Sequence, residues 1–260
     1  KNRGGKYVIT FVGAGPGAED LITVRGLKLL QTADIIVYAG SLVNPELLNN
    51  KKENCIVYNS AKMTLEEVMD VMVNGDHEGK EIVRLHTGDP CLYGAIKEQM
   101  DWLMREQIKY EVCPGVSSFC GAAAALNAEY TLPGISQSVI ITRMAGCTPV
   151  PERESIRSFA SHQATMTIFL STGMLLELQK ELIAGGYSPD TPAAIVYKAT
   201  WPDEKVYHCT IDSLARTAKE NGIKKTALIV VGRILNSEYQ RSELYHPDFT
   251  TEFRKGRKES

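Results

Sequence analysis

The chain has little of what marks a specialised environment. No run of about 18 apolar residues occurs, so no helical membrane span and no membrane partner are expected. The first residues, Lys1 to Lys6, are polar with no apolar stretch behind them, and no signal peptide is expected. Neither sign of charge dominates. There are 29 Lys+Arg against 31 Asp+Glu, a formal net charge of -2, which excludes a strongly basic nucleic-acid binder. Aromatic residues are only 7% and no basic, aromatic-rich stretch exists on which RNA bases could stack. No nucleic-acid partner is therefore expected. The six cysteines (Cys55, Cys91, Cys113, Cys120, Cys147, Cys209) show no C-x-x-C spacing, which argues against a zinc ribbon or a thioredoxin-like pair. Scattered cysteines in a chain of this size point to a reduced, cytoplasmic protein. The motifs G-x-S-x-G, G-x-x-x-x-G-K-[ST] and H-E-x-x-H are missing. The five histidines (His77, His86, His162, His208, His246) have no metal-ligand spacing, so no metal is expected. Only His86 stands beside a motif.

What is present is a globular composition. The chain has 260 residues, 43% of them hydrophobic, enough for one large domain or two ordinary ones. Its dominant rhythm is strand then helix. Tyr7–Val12, Asp34–Tyr38, Asn54–Tyr58, Glu81–Leu85 and Tyr110–Cys113 read as strands. Between them Leu21–Gln31 reads as a helix. Thr64-Leu65-Glu66-Glu67 has the form of a capping box, and Leu65, Val68, Met69 and Met72 follow at the spacing of one helix face. Ile96, Met100, Leu103 and Met104 make another such stripe. This alternation predicts a mostly parallel sheet with helices on its faces. Pro114-Gly115 closes it, since neither a helix nor a strand continues through that pair.

The second half differs in texture. A small-residue helix over Ser117–Leu126 leads to strands at Ser138–Arg143, Thr165–Leu170, Ala193–Tyr197, Lys205–Thr210 and Thr226–Gly232. The third and fourth of these are close together around Trp201-Pro202, which predicts antiparallel pairing and a mixed sheet. Leu175, Leu178 and Leu182 mark a helix, and Ile211–Asn221 another, ended by Asn221-Gly222. The expected organisation is an N-terminal α/β domain over 1–115, a C-terminal α/β domain over 116–236, and a polar tail over 237–260 whose basic end reads as solvated.

Three glycine-rich loops follow predicted strands. The first, Gly13-Ala14-Gly15-Pro16-Gly17-Ala18, matches G-x-G-x-x-A, the dinucleotide fingerprint. Two details oppose that reading. The second strand ends in Tyr38-Ala39-Gly40 with no carboxylate for a ribose, Asp34 lying at its start, and Pro16 removes an amide from the loop. The second loop is His86-Thr87-Gly88-Asp89-Pro90-Cys91-Leu92-Tyr93-Gly94. The third is Cys113-Pro114-Gly115-Val116-Ser117-Ser118, where a serine could equally be a helix N-cap. Each loop alone could be a bare turn. Three of them at the carboxyl ends of strands in one open sheet point to a small polar ligand. No nucleophile, base and orienter can be assembled, so the chemistry rests on positioning.

These loops, in this order, resemble those of the tetrapyrrole methylase family, which transfers methyl groups from S-adenosylmethionine to carbons of porphyrinoids. The stretch Tyr38-Ala39-Gly40-Ser41-Leu42-Val43 is similar to the branch acting on C11 of precorrin-4 or cobalt-precorrin-4 in cobalamin biosynthesis. The resemblance implies two α/β domains, the first sheet mostly parallel and the second mixed, with an active-site trough between them. It also implies a homodimer, and a cofactor held largely by backbone groups. Carried over, it places the cofactor at Pro16, Gly88, Asp89, Leu92, Tyr93, Ser117 and Ser118. From the second domain it implies Leu170, Ser171, Tyr197, Lys198, Ala199, Thr226 and Ala227. It implies no particular catalytic side chain. Ala18-Glu19 departs from the usual acid after the first loop's glycine, a role Glu19 or Asp20 could take. The substrate would carry many carboxylates, for which Arg25, Arg84 and Arg143 are candidate partners. The rivals are a related methylase acting on ribosomal RNA or on another tetrapyrrole carbon, a dinucleotide oxidoreductase, and a non-catalytic sensor.

Overall fold

The structure, a computed structural model, describes residues 8–236, 238–240 and 242–257. The chain divides into two compact units. One takes the chain up to Ala122 together with Lys198–Glu204; the other takes Ala123–Tyr197 and the chain from Lys205 onward.

The first unit is built on a parallel sheet of β1 (Ile9–Gly13), β2 (Ile35–Tyr38), β3 (Ile56–Asn59), β4 (Ile82–His86) and β5 (Tyr110–Cys113). Their order is β3-β2-β4-β1-β5, and every pairing is parallel. Successive residues of a strand face opposite sides of the sheet. Val12, Ile36, Val83 and Leu85 pack with Leu30 of α1 (Val24–Thr32) and with Val43 and Leu47. Ile9, Phe11, Ile35, Val37 and Ile82 pack on the other side with Val68, Met69 and Met72 of α2 (Leu65–His77) and Leu103 of α3 (Ile96–Arg105). Both faces of the three inner strands β1, β2 and β4 are covered, which is why these are rich in apolar residues along their whole length rather than alternating.

Local signals set the helix ends. Thr64 and Glu67 form the full reciprocal capping box, with the Glu67 N–H donating to Thr64 Oγ1 at 3.3 Å and the Thr64 N–H to Glu67 Oε2 at 2.8 Å. The first helix starts later than its apolar pattern suggests. Thr23 caps it, accepting from the Gly26 N–H at 3.0 Å, and Glu19–Leu21 forms a separate 3-10 turn. Asp34 lies at the sheet edge opposite the glycine loops, accepting from Lys52 Nζ at 2.6 Å and from the Glu81 N–H at 2.8 Å. The Lys52 hydrogen bond, helped by that from Glu81, holds its carboxyl below the usual range.

Helix α4 (Ser118–Leu126) runs across the division of the units at Ala122. The second unit holds β6 (Val139–Arg143), β7 (Thr165–Phe169), β8 (Pro192–Tyr197), β9 (Lys205–Thr210) and β10 (Ala227–Val231) in the order β6-β7-β10-β8-β9. Only β6 and β7 pair in parallel; β10 runs antiparallel to β7 and β8, and β8 to β9. The sheet is therefore mixed. Met166, Ile168, Ile195 and Ile229 pack against Ile156 and Ala160 of α5 (Ile156–Ala160), Leu178 and Leu182 of α6 (Leu175–Ala184), and Leu214 and Ala218 of α7 (Leu214–Glu220).

In the C-terminal stretch Arg254 is exposed to solvent. Its Nη2 donates to the carbonyls of Leu244, His246 and Phe249 at 3.0, 2.7 and 3.3 Å. Lys258 lies outside the described residues. Among the described residues no helix is long and apolar enough to cross a membrane, and no cluster of three or more metal-ligating side chains occurs.

Candidate functional site

Strands β4, β1 and β5 are neighbours and parallel, so the loops that follow them emerge side by side at one edge. The three loops touch backbone to backbone. Gly15 and Gly88 exchange hydrogen bonds, Gly88 N–H to Gly15 O at 2.8 Å and Gly15 N–H to Gly88 O at 3.2 Å. A Cβ on Gly115 would come within 2.3 Å of Gly88 O and 2.7 Å of Gly13 Cα, and one on Gly13 within 2.5 Å of Gly115 Cα. Only glycine permits this approach. Gly88 also sits at φ +60°. The three motifs thus form one cradle.

Asp89 ties the second loop to the third. Its Oδ1 accepts from the Cys91 N–H and its Oδ2 from the Gly115 N–H, both at 2.8 Å. Burial opposes its ionisation, but the hydrogen bonds from Cys91 and Gly115 prevail and hold its pKa below the usual carboxylate value. Both oxygens are occupied by backbone donors, so Asp89 shapes the cradle. Leu92 and Tyr93 follow on the same loop. Tyr93 is exposed and held at φ 56°, a conformation in which a non-glycine residue stores strain and which clusters at binding sites. Ser117 is buried and Ser118 half-buried at the start of α4. Glu19 and Asp20 are exposed in their 3-10 turn.

Lys198 and Ala199, expected in the second domain, lie in the first unit instead, within the segment Lys198–Glu204. Thr200 Oγ1 accepts from the Ala18 N–H at 3.0 Å, and Trp201 Nε1 donates to Pro16 O at 3.1 Å. Buried Asn44 completes the support of the first loop, its Nδ2 donating to Gly17 O at 2.9 Å. Trp201, Thr200 and Asn44 were not reached from the sequence. The Asn44-Pro45 pair, a turn-initiating dipeptide, was the one available signal.

In the second unit the remaining candidates gather at one edge of the mixed sheet. Ala227 pairs with Tyr197, and Thr172 Oγ1 donates to Ala227 O at 3.1 Å. Ser171 is fully buried; its Oγ donates to Phe169 O at 2.7 Å and accepts from the Met144 N–H at 2.9 Å. Leu170 is 64% exposed yet has φ 52°, and Thr226 has φ 59°. Lys198, the first-unit residue that follows β8, has φ 46°. Four of the residues expected at the site, Tyr93, Leu170, Lys198 and Thr226, are thus held in the left-handed region.

The arginines fare differently. Arg84 is buried, its Nε donating to Gln99 Oε1 and its Nη1 to Val37 O, each at 3.1 Å; burial lowers its pKa to about 10. Arg143 is committed to the carbonyls of Met144, Thr148 and Pro149. Of the three, Arg25 on α1 is the exposed one. His86 is buried with Nε2 unpartnered. Burial, then the nearby Arg84 charge, lowers its pKa to about 3, so it is neutral at physiological pH.

The fold and the glycine cradle define an α/β protein whose parallel sheet presents an edge of three glycine-rich loops. The chain belongs to the tetrapyrrole (corrin/porphyrin) methylases, whose family model matches residues 8–215. It is 53% identical over 251 residues to a cobalt-precorrin-4 C(11)-methyltransferase of Methanocaldococcus jannaschii, covering 96% of this chain and 97% of that one. A solved cobalt-precorrin-4 methyltransferase aligns with a TM-score of 0.86 at 48% identity, over 88% of this chain and 96% of the other. The uroporphyrin-III C-methyltransferase of Thermus thermophilus, solved in complex with S-adenosylhomocysteine, aligns at 0.73 with 25% identity, over 88% and 93%.

Proposed function

We propose that this protein transfers a methyl group from S-adenosylmethionine to C11 of cobalt-precorrin-4, in cobalamin biosynthesis. The observation that carries the reading is the near full-length agreement, at 53% identity, with an enzyme of that name. The reading of a methylase for ribosomal RNA has no comparable support.

The residues fit the cofactor. A cradle of three loops, closed by glycines and edged by a strained, exposed Tyr93, presents backbone groups and side chains of modest polarity. Pro16, Gly88, Asp89, Leu92, Tyr93, Ser117 and Ser118 are proposed to hold the cofactor, with Lys198 and Ala199 beside them. Leu170, Ser171, Tyr197, Thr226 and Ala227 of the second unit are proposed as further contacts. When bound, S-adenosylmethionine supplies an electrophilic methyl group whose bonding pair stays on sulfur as the methyl leaves. The chain therefore needs no activated nucleophile. Its task is to orient the donor and the acceptor carbon and to exclude water. Asp89 serves by fixing the cradle, and Arg25, the exposed one of the three candidate arginines, is proposed for substrate carboxylates. The same reading makes the protein a cytoplasmic homodimer, which sedimentation equilibrium tests for the oligomer.

The test of the reaction is incubation with methyl-labelled S-adenosylmethionine and cobalt-precorrin-4 or metal-free precorrin-4, followed by mass spectrometry and NMR. One labelled methyl at C11, formed faster on the cobalt substrate, is expected. A methyl on another ring carbon would overturn the regiochemistry. Absence of transfer to an intact substrate would overturn the enzyme assignment.

A further inference from the structure

The segment Lys198–Glu204 belongs to the first unit although it lies far from the rest of that unit in sequence, and the loop motifs do not explain it. It carries two non-glycine residues in the left-handed region, Lys198 at φ 46° and Thr200 at φ 70°. For a β-branched residue such as Thr200 that is an outlier. Strain of this kind persists only where surrounding contacts over-determine the backbone.

Those contacts converge on the first glycine loop. Trp201 Nε1 donates to Pro16 O at 3.1 Å. A Cβ on Gly17 would lie within 2.1 Å of Trp201 Cδ1, so the indole rests directly against the glycine's backbone. Thr200 Oγ1 takes the next amide, that of Ala18, at 3.0 Å. Gly121 of α4 leaves room for both partners, since a Cβ there would meet Pro16 Cβ at 3.0 Å and Thr200 Cγ2 at 3.2 Å. The ring itself is held from its own segment. The Lys198 ammonium stands 5.3 Å from its centroid while paired to Asp203 at 2.7 Å. Two polar backbone groups of the Pro16-Gly17-Ala18 turn are thus satisfied by side chains more than 180 residues away in sequence.

We infer that Trp201 is a positioning residue for the cofactor, acting through Pro16 and Gly17, with Thr200 as its partner on Ala18. The inference rests on the cofactor reading above and adds a determinant that the glycine motifs do not contain. The indole and the hydroxyl set the carbonyl and amide directions of the first loop before the cofactor arrives. That preorganisation favours cofactor affinity and has no direct bearing on the tetrapyrrole.

The test is calorimetric titration of S-adenosylhomocysteine into the full-length wild type, Trp201→Phe and Thr200→Val, with KM for S-adenosylmethionine and for the tetrapyrrole measured in parallel. Trp201→Phe keeps an aromatic ring and deletes the donor; Thr200→Val keeps the shape and deletes the acceptor. Each is expected to weaken cofactor binding about fivefold to tenfold, the loss associated with one unmade hydrogen bond. The KM for the tetrapyrrole should stay within about twofold, which general loosening of the fold would not allow. In a Trp102→Phe background Trp201 is the sole tryptophan, and its fluorescence should shift when S-adenosylhomocysteine is added. Unchanged affinity in folded variants, or equal rises in both KM values, would overturn the inference and leave the function standing. If Trp201→Phe does not fold, Thr200→Val decides by itself. A wild type that binds no S-adenosylhomocysteine would overturn the cofactor reading and the inference together.

Discussion

The Asp89 carboxylate accepts the Gly115 N–H at 2.8 Å, so an acid in the second loop fixes the backbone of the third. With Oδ1 on the Cys91 N–H, the side chain works as a brace between two turns. This gives the acidic residue of the Gly88-Asp89-Pro90 motif a structural reason to be there that precedes any ligand.

Asp89→Asn removes the charge and one of the two acceptor oxygens. Hydrogen bonds to a charged group contribute about 1.5–3 kcal/mol, so the variant should unfold at lower denaturant and bind S-adenosylhomocysteine about tenfold more weakly. The pH dependence follows from the lowered pKa. The brace is fully present above the unfolded-state value of about 3.9 and is lost only as pH falls through the still lower folded value. Cofactor affinity should therefore show no Asp89-linked change between pH 5 and 8. A titration with a midpoint near 6 that disappears in Asp89→Asn would contradict this.

His86 adds a larger contribution to the acid limb of the stability profile. It is buried and neutral, with its pKa lowered to about 3 from 6.5. The unfolded chain takes up a proton below 6.5 that the folded chain refuses. Stability is then complete above 6.5 and falls as pH drops from 6.5 toward 3. At pH 5 the loss from this group is about 2 kcal/mol, at 1.36 kcal/mol per unit. Urea unfolding at pH 7 and pH 5 should show that difference in the wild type and a smaller one in His86→Leu. Equal pH slopes in the two proteins would show that the ring is hydrated or charged.

Much of this architecture was legible in the chain. The five first-unit strands and the Thr64–Glu67 box were readable because their determinants are local: short runs of β-branched and aromatic residues, most of them followed by glycine, and a threonine three residues before a glutamate. Tyr110–Cys113 and Lys205–Thr210 run as the pattern placed them. The lining-up of three loops followed from parallel strands alone. What was not legible depends on contacts distant in sequence. The short helix Ile156–Ala160 is too brief to show a period, and only its Ser155 cap, bonded to the Ser158 N–H at 3.2 Å, marks it. Nothing in Lys198-Ala199-Thr200-Trp201 tells that it belongs with the first glycine loop, because the complement of the Trp201 ring is the missing side chain of Gly17. Arg84 read as a candidate partner for substrate carboxylates because a strand pattern does not reveal that Val37 O and Gln99 await it.

The close approach of Gly13, Gly88 and Gly115 gives a steric prediction. Gly115→Ala places a Cβ 2.3 Å from Gly88 O and 2.7 Å from Gly13 Cα, and both neighbours are backbone that cannot rotate away. Overpacking of this kind costs about 1–3 kcal/mol or more. Gly13→Ala should cost a similar amount. Because the two methyl groups would force the same loops apart, the double variant should lose less than the two single losses added. Thermal unfolding of the three variants measures this; strict additivity would mean that the loops relax independently.

Leu170 separates stability from function. It is 64% exposed, so burial does not hold it there, and at φ 52° it bears the cost of a left-handed L-residue, about 1–2 kcal/mol. Replacement by glycine relieves that strain and adds about 0.5–1 kcal/mol of unfolded-chain entropy against it. The net expectation for Leu170→Gly is unchanged or slightly raised stability. A leucine kept at such a position for stability alone would make little sense, whereas one kept for a contact with cofactor or substrate would. Leu170→Gly should therefore lower methyl transfer about tenfold while its denaturant midpoint does not fall. Leu170→Asn, which tolerates the same backbone but offers a polar side chain, should be similarly stable and similarly slow. Full activity in both variants would show that the strained leucine serves neither ligand.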